Sequence, residues 1–135
     1  MTQAQIIPLC RLEWTGKAKL DLFVDIMLVK KCIYSKRELY NFFLKPRNNN
    51  IVRYNTDKLE LLAYLLHRLC RKGIIRPKVN KGYFICAESH FTDFGKNKIK
   101  NNTLKYLSSE VHLKKSRYAS IRAEVEEIIT YISKR

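Results

Sequence analysis

The sequence predicts a mainly α fold with a small β-hairpin, a winged-helix-like helical domain that ends in a C-terminal helix. Three observations predict it. Leu59, Leu62, Ala63, Leu66, Leu69 and Cys70 recur at the i, i+3, i+4, i+7 spacing of one buried helical face. That helix stops at Gly73 and runs at once into two β-like runs, Ile74-Ile75 and Tyr83-Phe84-Ile85. Val79-Asn80-Lys81-Gly82 joins them as a short loop with Gly at a positive-φ position. Two further helical patterns then close the chain. At 135 residues the chain is expected to be a single domain, 1–135, with 9–87 as helical core and hairpin wing and 88–135 as a C-terminal helical extension.

The elements follow in order. Residues 1–8 carry no pattern. Cys10, Leu12 and Trp14 alternate with Arg11 and Glu13, the period of a short half-buried strand, and Thr15 is placed to cap the next element. Over 17–31, Ala18, Leu22, Phe23, Ile26, Leu28 and Val29 read as a largely buried helix, and Lys30-Lys31 at its end complement the helix dipole. Ser35 and Glu38 have capping-box spacing. Leu39, Phe42 and Phe43 form the stripe of a short second helix that Pro46 ends. The polar stretch 47–55 is longer than the usual turn of a helix-turn-helix.

The third helix is expected over 57–72, with Tyr64, His67, Arg68 and Arg71 opposite its apolar face and Gly73 as its left-handed stop. Its opening, Lys58-Leu59-Glu60-Leu61, faintly echoes Lys19-Leu20-Asp21-Leu22. Pro77 assigns the next strand to an edge. Residues 88–94 give one or two helical turns ended by Gly95. Asn102 or Thr103 caps a fourth helix carrying Leu104, Leu107 and Val111. The last helix, 117–134, sets Tyr118, Ile121, Val125, Ile128 and Ile132 at alternating spacings of 3 and 4. That stripe is either a homodimer seam or a packing face. It falls short of the three to four heptads that argue a coiled coil, which favours packing.

Charge points to function. Lys and Arg number 27 against 12 acids, a net +15, where solubility asks for a magnitude of only about 2–8. The excess lies within periodic segments, so it belongs to a folded surface facing a polyanion. From 68 to 81 there are six basic residues, Arg68, Arg71, Lys72, Arg76, Lys78 and Lys81, and no acid. From 96 to 117 there are seven, Lys96, Lys98, Lys100, Lys105, Lys114, Lys115 and Arg117, against the single acid Glu110. The expected function is non-catalytic binding of nucleic acid, duplex DNA in preference. The phosphates would be held by Arg68, Arg71, Lys72, Lys81, Lys98, Lys100, Lys105, Lys114, Lys115 and Arg117. The alternatives are a structural or interaction protein whose basic face meets an acidic partner, and an RNA-binding module. Tyr83 and Phe84 suit base stacking, although packing accounts for them more simply.

Other classes lack support. His67, His90 and His112 have no partners at metal-ligand spacing, and the Cys86–His90 pair alone is a weak signal. No Gly-rich phosphate loop, nucleophile elbow or paired carboxylates occur, so no enzyme, metal or cofactor is expected. Cys10, Cys32, Cys70 and Cys86 form no C-x-x-C pair and read as buried free thiols, which with the lack of a signal peptide suits the cytoplasm. The most apolar run, 20–29, is broken by Asp21 and Asp25 and is too short to span a membrane.

Two segments resemble a known family. Arg11-Leu12-Glu13-Trp14-Thr15-Gly16-Lys17 with the helix after it, and Val111-His112-Leu113-Lys114-Lys115-Ser116-Arg117-Tyr118 with the final helix, are similar to the C-terminal domain of RteC-type proteins. Those are regulators encoded on conjugative transposons of Bacteroides and relatives. The resemblance implies a helix-turn-helix or winged helix that binds DNA upstream of mobile-element excision genes, and hence a transcriptional or excision regulator. The segment 48–83 departs from the pattern, being longer than the family's connection.

Overall fold

The computed structural model describes residues 11–45, 47, 49–77, 82–114 and 116–133. Along it run β1 (Leu12–Trp14), α1 (Leu20–Val29), α2 (Lys36–Leu44), β2 (Val52–Arg53), a 3-10 turn (Thr56–Lys58), α3 (Leu59–Arg71), β3 (Ile75–Pro77), α4 (Tyr83–His90), β4 (Phe91–Thr92), α5 (Asn101–Leu113) and α6 (Ala119–Ile132). The chain is thus mainly helical with a small antiparallel sheet, as its periodicities predict.

α3 is the centre. Leu61 to Leu66 are all buried, and so is Leu69. The sequence marks one apolar face on this helix, but α5 and α6 pack across the side that also carries Tyr64. Tyr64 is therefore buried rather than solvent-facing. Leu104 and Val111 of α5 and Val125, Ile128 and Ile132 of α6 join the same apolar cluster as Phe23, Val24 and Met27 of α1. α5 and α6 thus contribute to the same core as α1 and α3. The stripe on α6 packs against α1 and α3, with Val125, Ile128 and Ile132 buried within the chain.

The sheet lies elsewhere than expected. β3 does not turn back on 83–85. It pairs antiparallel with β1, with Glu13 opposite Arg76 and Trp14 opposite Ile75. The Arg76 guanidinium donates to Glu13 across the pair at 2.7 Å. Tyr83-Phe84-Ile85 open a helix, α4, which buries Cys86, Ala87 and His90 on one side. Short apolar runs read equally as strand or helix, and here the 83, 86, 87, 90 spacing decides. The predicted wing over 74–87 is therefore absent as a hairpin, and its tip at 78–81 lies outside the described residues. A second, parallel pair joins β2 to β4, with Val52 opposite Phe91.

Local devices differ in instructive ways. Ser35 caps α2 by accepting from the Glu38 N–H at 3.4 Å. The capping box stays half made, because the Glu38 carboxylate turns to Arg53 and accepts from both its backbone N–H and its guanidinium. Thr15 caps nothing. Its hydroxyl donates to the Gly73 carbonyl at 2.6 Å and clamps β1 to the end of α3. There Gly73 takes φ +72°, the left-handed stop that the sequence assigns to it. Lys30 is no dipole partner either. Its ammonium reaches Glu127 at 2.8 Å and Glu124 at 3.2 Å on α6, bracing α1 against that helix. Val29, expected in the core, is 77 % exposed.

The cysteines divide. Cys32 and Cys70 are free thiols, whereas Cys86 is disulfide-bonded. Cys10 lies outside the described residues. The expectation of four free thiols fails at Cys86, and the redox argument for a reducing compartment fails with it. Among the described residues no helix is long and apolar enough to cross a membrane.

Candidate nucleic-acid interface

The chain does build a tight basic turn, one element later than predicted. After β4 the backbone reverses through 93–97. Asp93 N–H donates to the Asn97 carbonyl at 2.9 Å, and Lys96 N–H to the Asp93 carbonyl at 3.0 Å. Thr92 and Lys98 then face each other in an antiparallel bridge. The Asp93 carboxylate accepts from the Asn97 backbone and side chain, and these bonds hold its pKa below the ordinary value. Lys96 sits at the tip with φ +68°. Ile99 is buried and its N–H donates to the Phe91 carbonyl, which anchors the returning arm. Asp-x-Gly-x-Asn is the turn chemistry that marks this reversal in the sequence. It was visible there as Asp93-Phe94-Gly95-Lys96-Asn97, hidden by the breadth of the basic stretch around it.

This turn delivers the chain into α5. No side chain at Lys100, the N-cap position, closes the helix. The cap comes from α4 instead, where the Glu88 carboxylate accepts from the Asn101 N–H at 3.1 Å and, in a very short contact, from its side-chain amide. The Asn101 side chain first, then its N–H, then Lys100 and Lys98, hold the Glu88 carboxyl below its usual pKa against the opposing effect of burial. Because the folded pKa is depressed, this contribution to stability is present above the unfolded value of about pH 4.3 and is lost as pH falls through the folded pKa. Glu88→Gln is therefore expected to melt lower than the parent chain near neutrality, with the gap closing as pH falls below about 4. Parallel melting curves for the two chains across that range would remove Glu88 as the cap.

Eight of the ten predicted contact residues are described, and they separate into three groups. Lys98, Lys100 and Lys105 stand exposed on the turn and on the first half of α5, and Lys96 joins them at the tip. The two acids nearby, Glu88 and Asp93, are committed to local hydrogen bonds. Arg71 and Lys72 are exposed at the end of α3. Three residues are engaged within the chain. Arg68 is half-buried and paired with Glu126 of α6 at 2.8 Å, and its Glu126 hydrogen bond raises an already high pKa. Lys114 pairs with Glu110 one turn back at 2.9 Å. The Arg117 guanidinium lies 5.3 Å from the Tyr118 ring centroid. Lys81 and Lys115 lie outside the described residues.

Arg68 and Arg71 are thus no matched pair reaching into one groove. α6, with its glutamates, covers Arg68 and leaves Arg71 free, a tertiary effect with no local signature. The same distribution accounts for much of the acid. Glu13, Asp25, Glu38, Glu110, Glu124, Glu126 and Glu127 are tied to Arg76, Lys36, Arg53, Lys114, Lys30 and Arg68. The turn–α5 lysines are outside that set.

The histidines are structural or local. His90 is buried, with Nδ1 2.9 Å from the Asn50 carbonyl and its ring edge-on to Phe42. His67 Nδ1 lies 3.0 Å from the Tyr83 hydroxyl. Burial, then His112, Arg71 and Arg68, push the His67 pKa down. Tyr83 and Phe84 lie on α4 with ring centroids 4.5 Å apart. Among the described residues no three His, Cys, Asp or Glu side chains gather as metal ligands would. Comparison with protein-family models, with curated proteins and with solved structures returns no match.

Proposed function

We propose that this chain binds nucleic acid without catalysis, and duplex DNA in preference, through the 93–97 turn and the exposed face of α5. One observation carries the reading: Lys96 on the turn, Lys98 and Lys100 on the arm returning from it, and Lys105 on the first half of α5 are exposed and outside the ion pairs that occupy most of the acids. A helix entering a groove N-terminus first, with a basic turn beside it on the backbone, suits a duplex. Asn102, Thr103 and Ser109 are exposed on the same helix and offer hydrogen bonds to phosphates or base edges. The similarity of 11–17 and 111–118 to RteC-type regulators extends the proposal to a transcriptional or excision regulator of a mobile element.

Tyr106 and Leu113, 63 % and 71 % exposed on α5, favour a second reading, in which the basic face docks an acidic protein. Fluorescence anisotropy separates the two. Labelled duplex DNA, single-stranded DNA, RNA and polyglutamate of matched charge are titrated with the chain across a salt series. Duplex DNA is expected to bind tightest and to lose affinity steeply with salt. Polyglutamate binding as tightly as duplex would favour the protein partner. A single strand or RNA binding more tightly would move the reading to that nucleic acid.

A further inference from the structure

Between the first turn of α4 and the outer face of α5 lies a groove of about 590 Å³. Its size is that of a small-molecule site. Its lining has two characters. Phe84, Ile85 and Leu113 supply an apolar wall, with Ile85 and Leu113 left 42 % and 71 % exposed. Lys105, Ser108 and His112 supply polar groups along the α5 side, and no acid is among the described lining residues.

Two independent features make the groove receptive to an anion. The first is α4 itself. Gly82 at its cap has no side chain to accept the leading N–H groups, and the Gly82 carbonyl is occupied by Ile85 and Cys86. Among the described residues the other N–H groups of that turn meet no acceptor, and they carry the positive end of the helix dipole. The second is Ser108. It is 8 % exposed and lines the groove, and its hydroxyl makes no hydrogen bond among the described residues. That hydroxyl faces the groove as an unused donor, available to a ligand acceptor.

We propose that this groove binds a small amphipathic anion, an aromatic or branched aliphatic carboxylate. The carboxylate lies against the α4 turn, Lys105 and the Ser108 hydroxyl, and its apolar body covers Phe84, Ile85 and Leu113. An inorganic anion would leave the wall wet, and a neutral apolar compound would leave Ser108 and the helix turn unanswered. The proposal does not rest on nucleic-acid binding, although Lys105 borders both surfaces and a bound ligand would compete there.

The test uses the full chain with no nucleic acid present. 1-Naphthoate, its neutral counterpart 1-naphthamide and inorganic phosphate are titrated separately, followed by calorimetry. Naphthoate is expected to saturate one site and to bind at least about tenfold tighter than the amide, the worth of one charge-assisted hydrogen bond. Lys105→Gln combined with Ser108→Ala removes that preference, while Lys98→Gln with Lys100→Gln leaves it intact and the melting temperature of each variant reports its folding. Equal binding of acid and amide, phosphate matching naphthoate, a preference that survives the Lys105–Ser108 double variant, or no saturable binding of naphthoate would each overturn the proposal.

Discussion

Replacing Lys98, Lys100 and Lys105 together by glutamine is expected to lower duplex affinity on the order of a hundredfold or more at about 0.1 M salt. Each lysine that neutralises a phosphate releases counterion, and the release terms for three contacts multiply. All three side chains are exposed, and none forms an ion pair with an acid among the described residues. The loss should therefore come with little change in stability, within about 0.5 kcal/mol for surface sites of this kind. Lys100 and Lys98 do favour the Glu88 carboxylate that caps α5, so a small fall in melting temperature is consistent. The informative control is Arg68→Gln. Because Arg68 is paired with Glu126, duplex affinity should stay unchanged while stability falls by less than about 1 kcal/mol, the value of a half-exposed pair. If Arg68→Gln weakens binding as much as the lysine variant does, the contact surface lies at the end of α3.

Phe42→Ala is expected to cost about 3–5 kcal/mol, a large share of the stability of a domain this size. Phe42 is 1 % exposed and sits where α2 meets the α4–β4 junction, with ring centroids 4.8 Å from Phe43, 5.3 Å from His90 and 5.3 Å from Phe91. Its neighbours are themselves buried rings, and truncation leaves a space beside them. Loosening Phe91 would also free the arm that positions the 93–97 turn, because the Phe91 carbonyl accepts from Ile99. Urea denaturation measures the effect. Val29→Ala, at an exposed site, should shift the midpoint by less than about 0.5 kcal/mol equivalent. Comparable costs at the two positions would refute this placement of the core.

Several parts of the fold were legible because they are local. The α3 stripe from Leu59 to Leu69, the Ser35 cap, the Gly73 stop and the apolar alternation through Leu12 and Trp14 are each written within one turn or one strand of sequence. What escaped prediction depends on partners distant in the chain. β3 pairs with β1 across about sixty residues, so its apolar run was matched to the nearer Tyr83-Phe84-Ile85. β2 and β4 have only two residues each, too few to show a period. Tyr64 is buried and Arg68 engaged because α6 lies over that side of α3, which the sequence of α3 does not announce. The ion pair from Lys30 to Glu127 spans most of the chain and displaced a purely local dipole argument.

The candidate site shows the same division. The basic density over 96–105 was plain from composition, and the exposed lysines are indeed there. Which of the ten cations stay unpaired was not plain, since Arg68 pairs with Glu126 on α6 and Lys114 with Glu110 one turn back. The tight turn that organises the lysines was written in Asp93, Gly95 and Asn97, but the stronger hairpin pattern at 79–82 drew the prediction to an earlier loop.

The proposed phosphate-binding face is the 93–97 turn with α5. The most direct measurement is the slope of log affinity against log salt for one duplex, taken side by side with the parent chain and the Lys98→Gln, Lys100→Gln, Lys105→Gln variant. Three lost phosphate contacts predict a slope shallower by about 2.7 in the variant, at about 0.9 per contact. Parallel lines for the two proteins would contradict the account and place the contact surface elsewhere on the chain.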